Sequence, residues 1–303
     1  MMTSQPEATE QSGVLVIDKP AGWTSHQVVG KIRKLAGTRK VGHAGTLDPM
    51  ATGVLVIGIG KATRLLGHLA LTEKAYDATI RLGVSTVTDD ADGAVMAAAG
   101  AREVTDDQIA NALAGLRGEQ LQVPSSVSAI KINGVRSYAK VRAGQDVALA
   151  PRPVIIYRLE VVGRRDVQTE GISVVDLDVI VECSSGTYVR ALARDLGVAL
   201  GTGGHLTALR RTRVGPFMLD EARPLDTTTM ALVGLDMAQV AQRCFATVTL
   251  DPSQVIAVRN GRQLPQIDLP ADPTALLSTD GTLLALYRPQ EGGGARAEAV
   301  FSG

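Results

Sequence analysis

Ala129-Ile130-Lys131-Ile132-Asn133-Gly134-Val135 reads as two extended segments joined by an Asn-Gly pair. Asn and Gly accept the positive φ that a two-residue hairpin turn demands, so this is a strong hairpin signal. It matters because helical and extended patterns alternate along the chain, which alone would also suit a doubly wound parallel sheet. A hairpin needs antiparallel neighbours. The expected fold is therefore α+β, with a mixed, mainly antiparallel sheet flanked by helices.

Working outward, residues 1–12 are polar and read as a disordered tail. Gly13 to Asp18 is a short apolar run, expected as a buried strand, stopped by Lys19-Pro20-Ala21-Gly22. Thr24 or Ser25 caps a helix whose stripe is Val28, Val29, Ile32 and Leu35, and Gly37 ends it. A Gly/Thr/Pro-rich loop spans 38–52. Gly53 to Gly60 is strand-like, Lys61 to Ala70 helical, and Tyr76 to Gly83 a strand. Residues 84–104 read as an acidic loop, and Thr105 caps a helix with Ile109, Leu113 and Leu116 on one face. Val154 to Val162 and Ile172 to Glu182 are β-rich, and Thr187 to Leu200 is helical before the glycines of 201–204. From about 229 the texture changes. One helical pattern, Leu232 to Phe245, precedes strand-length segments such as Ser253 to Val258 and Leu283 to Tyr287, which suggests a small, mostly β C-terminal domain at 229–303.

Of the 303 residues, 45% are hydrophobic and 20% charged, an ordinary globular profile. The first twelve residues lack the basic start and apolar run of a signal peptide, and apolar runs such as Val54 to Ile59 are too short to span a bilayer. Cys183 and Cys244 fit no zinc or redox spacing, so neither a metal nor a disulfide framework is expected, and the cytoplasm is the expected compartment. Net charge is formally zero but unevenly spread. Residues 13–70 hold eight Lys/Arg against two Asp/Glu, 117–158 seven against two, and 190–213 five against one, whereas 214–303 holds six against ten. If the basic segments share a face, they can neutralise phosphates; otherwise they are a scattered solvated surface.

Gly42-His43-Ala44-Gly45-Thr46-Leu47-Asp48-Pro49-Met50-Ala51-Thr52-Gly53 surrounds one carboxylate and one imidazole with small residues. Glycines let backbone approach a ligand closely, and Pro49 biases Asp48 away from helical geometry. Local physics alone reads Asp-Pro as turn chemistry.

The string from Gly42 to Leu55 resembles the signature of the TruB family of tRNA pseudouridine synthases. Asp18-Lys19-Pro20-Ala21-Gly22-Trp23-Thr24-Ser25 resembles that family's opening motif. Lys61-Ala62-Thr63-Arg64, Lys74-Ala75-Tyr76, Ser185-Gly186-Thr187-Tyr188-Val189-Arg190 and Leu209-Arg210-Arg211 follow in the family's order. The resemblance runs from about 13 to 225 and implies a catalytic domain over 13–228. It implies an isomerase that converts uridine 55 in the tRNA T loop to pseudouridine, with tRNA as partner, no cofactor, and a monomeric state. Asp48 would be the nucleophile, attacking ribose C1′ or base C6. Arg190 would pair with it, and Tyr76 would stack on the base and assist a proton transfer. Tyr188 and Leu209 would line the uracil pocket, and His43 would fill the gap left by the turned-out nucleotide.

Residues 123–153 resemble the family's RNA-gripping insertion, with Lys131, Arg136, Lys140, Arg142 and Arg152 around Tyr138, and Lys19 is expected as a further RNA contact. Where the family places a tyrosine before Ser-Ala, this chain has Val127. The C-terminal segment resembles a PUA-type RNA-binding module through Val258-Arg259-Asn260-Gly261-Arg262.

Other chemistries fail on spacing. A P-loop would need Gly where Leu55 stands and Ser/Thr where Ala62 stands, and a zinc deaminase needs a Pro-Cys-x-x-Cys that is lacking. A non-catalytic tRNA-binding or tRNA-folding protein is the alternative. Asp48, Tyr76 and Arg190 together distinguish it, because binding alone has no need of all three.

Overall fold

A computed structural model describes residues 12–125, 149–225 and 234–301 except 261, 266 and 292, together with the backbone of 131–132 and 135–136. Lys131–Ile132 pairs antiparallel with Val135–Arg136, so the expected hairpin forms. The fold is α+β, built on a large mixed sheet whose pairings are mostly antiparallel. Its spine runs in the order Arg223–Pro224, Gly13–Lys19, Thr52–Ile59, Gly204–Val214, Lys74–Leu82, Ile172–Cys183, Arg152–Thr169, Gly118–Gln122. Gly13–Lys19 with Arg223–Pro224 and Thr52–Ile59 with Gly204–Val214 are its parallel pairs.

Alternation assigns the faces. Tyr76, Ala78, Ile80 and Leu82 of one strand turn the same way, into a core shared with helices Ser25–Ala36, Asp106–Gly115 and Val189–Ala199. Their neighbours on that strand turn the other way, where Thr79 donates to Asp178 at 2.8 Å and Arg81 grips Asp176 with two bonds of 2.7 and 2.8 Å. Toward the other end of the sheet, Val14, Val16, Val54 and Val56 form a second core. Helix Leu66–Ala70 and the C-terminal elements fill it with Leu65, Leu69, Val240, Leu277 and Phe301. The C-terminal segment carries a four-stranded sheet in the order Ala246–Thr249, Thr274–Leu277, Leu283–Pro289, Ala295–Val300.

Thr24 and Thr105 each cap their helix reciprocally with a Gln three residues on, as their sequence positions suggested. Three readings change. Ser253 to Val258, expected as a strand, lies in the helix Pro252–Arg259. Asp251 accepts from the N–H groups of Ser253 and Gln254 at 2.8 and 2.9 Å, and Pro252 opens the first turn, so the cap outweighs the β-branched run. The loop at 38–52 contains the strand Val41–Ala44, and the acidic loop contains the pair Ser85–Thr86 and Val95–Ala97. Gly204–Val214, whose strand the sequence reading passed over, joins Thr52–Ile59 to Lys74–Leu82 in the middle of the sheet.

Gly53 pairs with Arg211 where Thr52–Ile59 lies against Gly204–Val214. Its φ is +98°, and a β-carbon there would sit 2.2 Å from the Arg211 carbonyl oxygen. Gly53→Ala therefore combines strained backbone with a backbone collision. Its expected cost is about 2–4 kcal/mol, measured by denaturant unfolding; an unchanged midpoint would show that the two strands can separate freely.

Candidate active site

Asp48 sits in the turn between the strands Val41–Ala44 and Thr52–Ile59, and the Asp18–Ser25 segment builds the seat for that turn. Ser25 Oγ donates to the Leu47 carbonyl at 3.0 Å and accepts from the Leu47 N–H at 2.9 Å. Gly22 N–H donates to the Pro49 carbonyl at 2.8 Å. Lys19 Nζ donates to the carbonyls of Trp23, Pro20 and Pro49 at 2.7, 2.9 and 3.2 Å. Lys19, expected as an RNA contact, is thus 0% exposed and pins the inside of the turn. Burial, reinforced by Arg211 and opposed by Asp48, pulls its pKa down to about 8.

Arg190 arrives from the first turn of helix Val189–Ala199. Its Nε lies 2.9 Å from Asp48 Oδ2 and its Nη2 3.2 Å from Oδ1, a two-pronged grip on the carboxylate. Nη1 donates to the Thr88 carbonyl at 2.8 Å and lies 3.2 Å from Asp90 Oδ2. The guanidinium is only 4% exposed, whereas Asp48 keeps 36% of its side chain accessible. Asp90 went unnoticed in sequence because it stood in an acidic loop; the only local signal is its place beside Thr88 and Asp89. Burial raises the pKa of Asp48 above the ordinary carboxylate value, and Asp90 adds to this. Arg190 opposes by charge and hydrogen bond, and Lys19 by charge. The arginine works in the direction expected of it, but desolvation is the larger effect.

Asp48 and Arg190 open onto a cavity of about 250 Å³ whose wall includes Tyr76, Tyr188 and Leu209. The five residues expected around a base therefore converge from one loop, one helix with its cap, and two strands. Burial pushes the Tyr76 phenol up to about 12, against the charge and hydrogen bond of Arg211. At neutral pH it is a donor and not a base. Tyr188 caps the helix that carries Arg190. Its N–H donates to Gln122 Oε1 at 2.8 Å and its carbonyl accepts from Gln122 Nε2 at 3.1 Å, a clamp the sequence did not reveal.

Other expected residues lie elsewhere. His43 is not in the cavity wall; its ring packs edge-on against His26 at 5.6 Å. Burial, then the charges of His26 and Arg211, pulls its pKa down to about 4, so the ring is neutral. Lys131 and Arg136 stand opposite each other across the short hairpin. Arg152 is exposed, at the start of its strand and opposite Gln122. Lys140 and Arg142 fall outside the described residues. Two wall residues, Lys74 and Arg211, had been noticed only as parts of motifs.

The chain is similar to known proteins over most of its length. Residues 33–189 match the family model described as TruB family pseudouridylate synthase (N terminal domain). Residues 190–243 match the model described as tRNA pseudouridylate synthase B C-terminal domain. The tRNA pseudouridine synthase B of an Arthrobacter species is 54% identical over 96% of this chain and 97% of its own length. That of Nocardia farcinica is 56% identical over 95% and 92%. Among solved structures, an H/ACA ribonucleoprotein bound to a substrate RNA containing 2′-deoxyuridine is similar at a TM-score of 0.66 and 27% identity, covering 95% of this chain and 84% of that one. A Cbf5-Nop10-Gar1 complex is similar at 0.68 and 28%, covering 95% and 84%.

Proposed function

The chain belongs to the TruB family of pseudouridylate synthases, and from that premise we propose that it converts uridine 55 in the T loop of tRNA to pseudouridine, with Asp48 as nucleophile. The observation that carries this reading is the accessible Asp48 carboxylate, gripped by buried Arg190 at the mouth of a base-sized cavity. The tRNA substrate is supported by the names of the relatives, and the T loop by the resemblance of the motifs.

The reaction detaches uracil N1 from ribose C1′, turns the base and rejoins it through C5. One proton leaves C5 and one arrives at N1, so nothing is gained or lost overall. The target nucleotide must leave its stack to enter the cavity, at a cost of about a few kcal/mol. Asp48 then holds one fragment covalently while the base turns. Arg190 keeps the carboxylate ionised and aimed, and Asp90 with the Thr88 carbonyl fixes the other side of the guanidinium. Tyr76 and Leu209 confine the ring, with the neutral Tyr76 phenol able to donate to it. The exposed Arg152 supplies a phosphate contact beside the cavity's Gln122 clamp.

Asp48→Asn is expected to bind tRNA within about threefold of wild type and to form no pseudouridine in single-turnover assays; product at the normal rate would remove Asp48 as nucleophile. The pH profile of kcat/KM reports the free enzyme. Asp48 acts ionised and its pKa is raised, so activity should fall on acidification at a pH above that of an ordinary aspartate. Arg190→Gln removes the opposing charge and should move this acid limb higher still. A limb that stayed in place would show that Arg190 does not govern the ionisation of Asp48.

A further inference from the structure

Two cations in the cavity wall have no carboxylate partner. Lys74 is 6% exposed and Arg211 1%, yet neither has a carboxylate within 4.0 Å among the described residues. Buried lysines and arginines are ordinarily paired, because an uncompensated buried charge is costly. Both flank Gly45: a β-carbon built there would lie 3.5 Å from Lys74 Cε and 3.5 Å from Arg211 Nη1. The third cation of the wall, Arg190, is held by Asp48 and Asp90.

The two cations differ in what remains of their donors. Arg211 spends Nε on the Val54 carbonyl at 2.7 Å, Nη2 on Gly45 at 3.0 Å and Nη1 on Thr46 at 3.4 Å. It is committed to holding the turn that bears Asp48. Lys74 Nζ donates to two carbonyls, Ala70 at 2.9 Å and Thr72 at 2.5 Å. An ammonium has three N–H groups, so one is left over, on a residue of the cavity wall two positions before Tyr76 on the same strand face.

We propose that the remaining N–H of the Lys74 ammonium donates to a carbonyl oxygen of the bound uracil and stabilises the negative charge that the ring gathers during isomerisation. This rests on the reading of the cavity as the uridine site. When the N1–C1′ bond breaks, its electron pair stays with the ring and spreads onto the carbonyl oxygens. Attack of Asp48 at C6 would push a pair the same way, so the argument holds for either route. Lys74 contributes charge and one hydrogen bond; the proton lost from C5 and the proton gained at N1 balance without it. A fixed donor placed where charge develops is worth on the order of 10²–10³ in rate.

The charged and titratable groups facing Lys74 set its pH behaviour. Burial and Arg211 lower its pKa to about 8, with Cys183 on the adjoining strand opposing. Tyr76 at about 12 and Cys183 at about 11 lie well above this. Asp48 is across the cavity, and Lys19, beneath the Asp48 turn, is the other group near 8. Loss of the Lys74 charge should therefore appear as an alkaline limb, and variants at 74 separate it from Lys19.

The test is single-turnover pseudouridine formation on a tRNA transcript from pH 6 to 10, with tRNA affinity measured in parallel, for the full-length wild type, K74M and K74R. K74M is expected to slow the reaction at least about tenfold at pH 7 with affinity within about twofold. K74R, a cation that does not titrate in this range, is expected to recover much of the rate and to lose the alkaline limb. Wild-type rate in K74M overturns the proposal. So does an alkaline limb that persists in K74R, which would belong to Lys19. If K74M does not fold, K74R decides by its limb. Wild-type protein that forms no pseudouridine overturns the parent reading, and the inference with it.

Discussion

A guanidinium with almost no access to water holds a carboxylate 142 residues away in sequence. Much of the architecture serves that contact. Arg190 must come from the start of a helix, Asp48 from a turn between strands, and Asp90 from a loop that returns beside them. Each is fixed by backbone hydrogen bonds from a distant segment. The Asp18–Ser25 segment seats the Asp48 turn, and Gln122 clamps the helix cap next to Arg190. An isolated exposed pair of this kind would contribute about 0–1 kcal/mol. Here burial of one partner makes geometry the issue, because a displaced Arg190 would be left charged and unsolvated.

The same burial acts on the other ionisable groups of the site. Desolvation raises Asp48 and lowers Lys19 and Lys74, so each of these three groups is drawn toward neutrality. Arg190 resists this at Asp48, and backbone carbonyls solvate Lys19, Lys74 and Arg211 in place of water. Such a site offers fixed dipoles and charge to a reacting ring and requires little rearrangement when charge shifts.

Local signals in the sequence carried a good part of the fold. Thr24, one of two residues expected to cap the first helix, and Thr105 form caps, and Lys131–Ile132 pairs with Val135–Arg136 as the hairpin signal suggested. Where a tertiary contact decides, the sequence was silent. Gly204–Val214 carries Arg210, Arg211 and Arg213, a surface-like pattern, yet it lies inside the sheet, where the carbonyls of Gly45, Thr46 and Val54 receive the buried Arg211. Lys19 is a similar case: nothing local announces three carbonyls gathered around one ammonium. Asp48, Tyr76, Tyr188, Arg190 and Leu209 were legible through the ordered motifs and meet in one cavity. Asp90 and Gln122 act through partners far along the chain, so no spacing rule could mark them.

We propose that this cavity isomerises one uridine of a tRNA T arm. Single-nucleotide mapping of pseudouridine in a T-arm transcript treated with the purified protein tests it most directly. The account predicts product at position 55 and at no other uridine of the loop. Bound transcript without pseudouridine would contradict it and leave a tRNA-binding protein in its place.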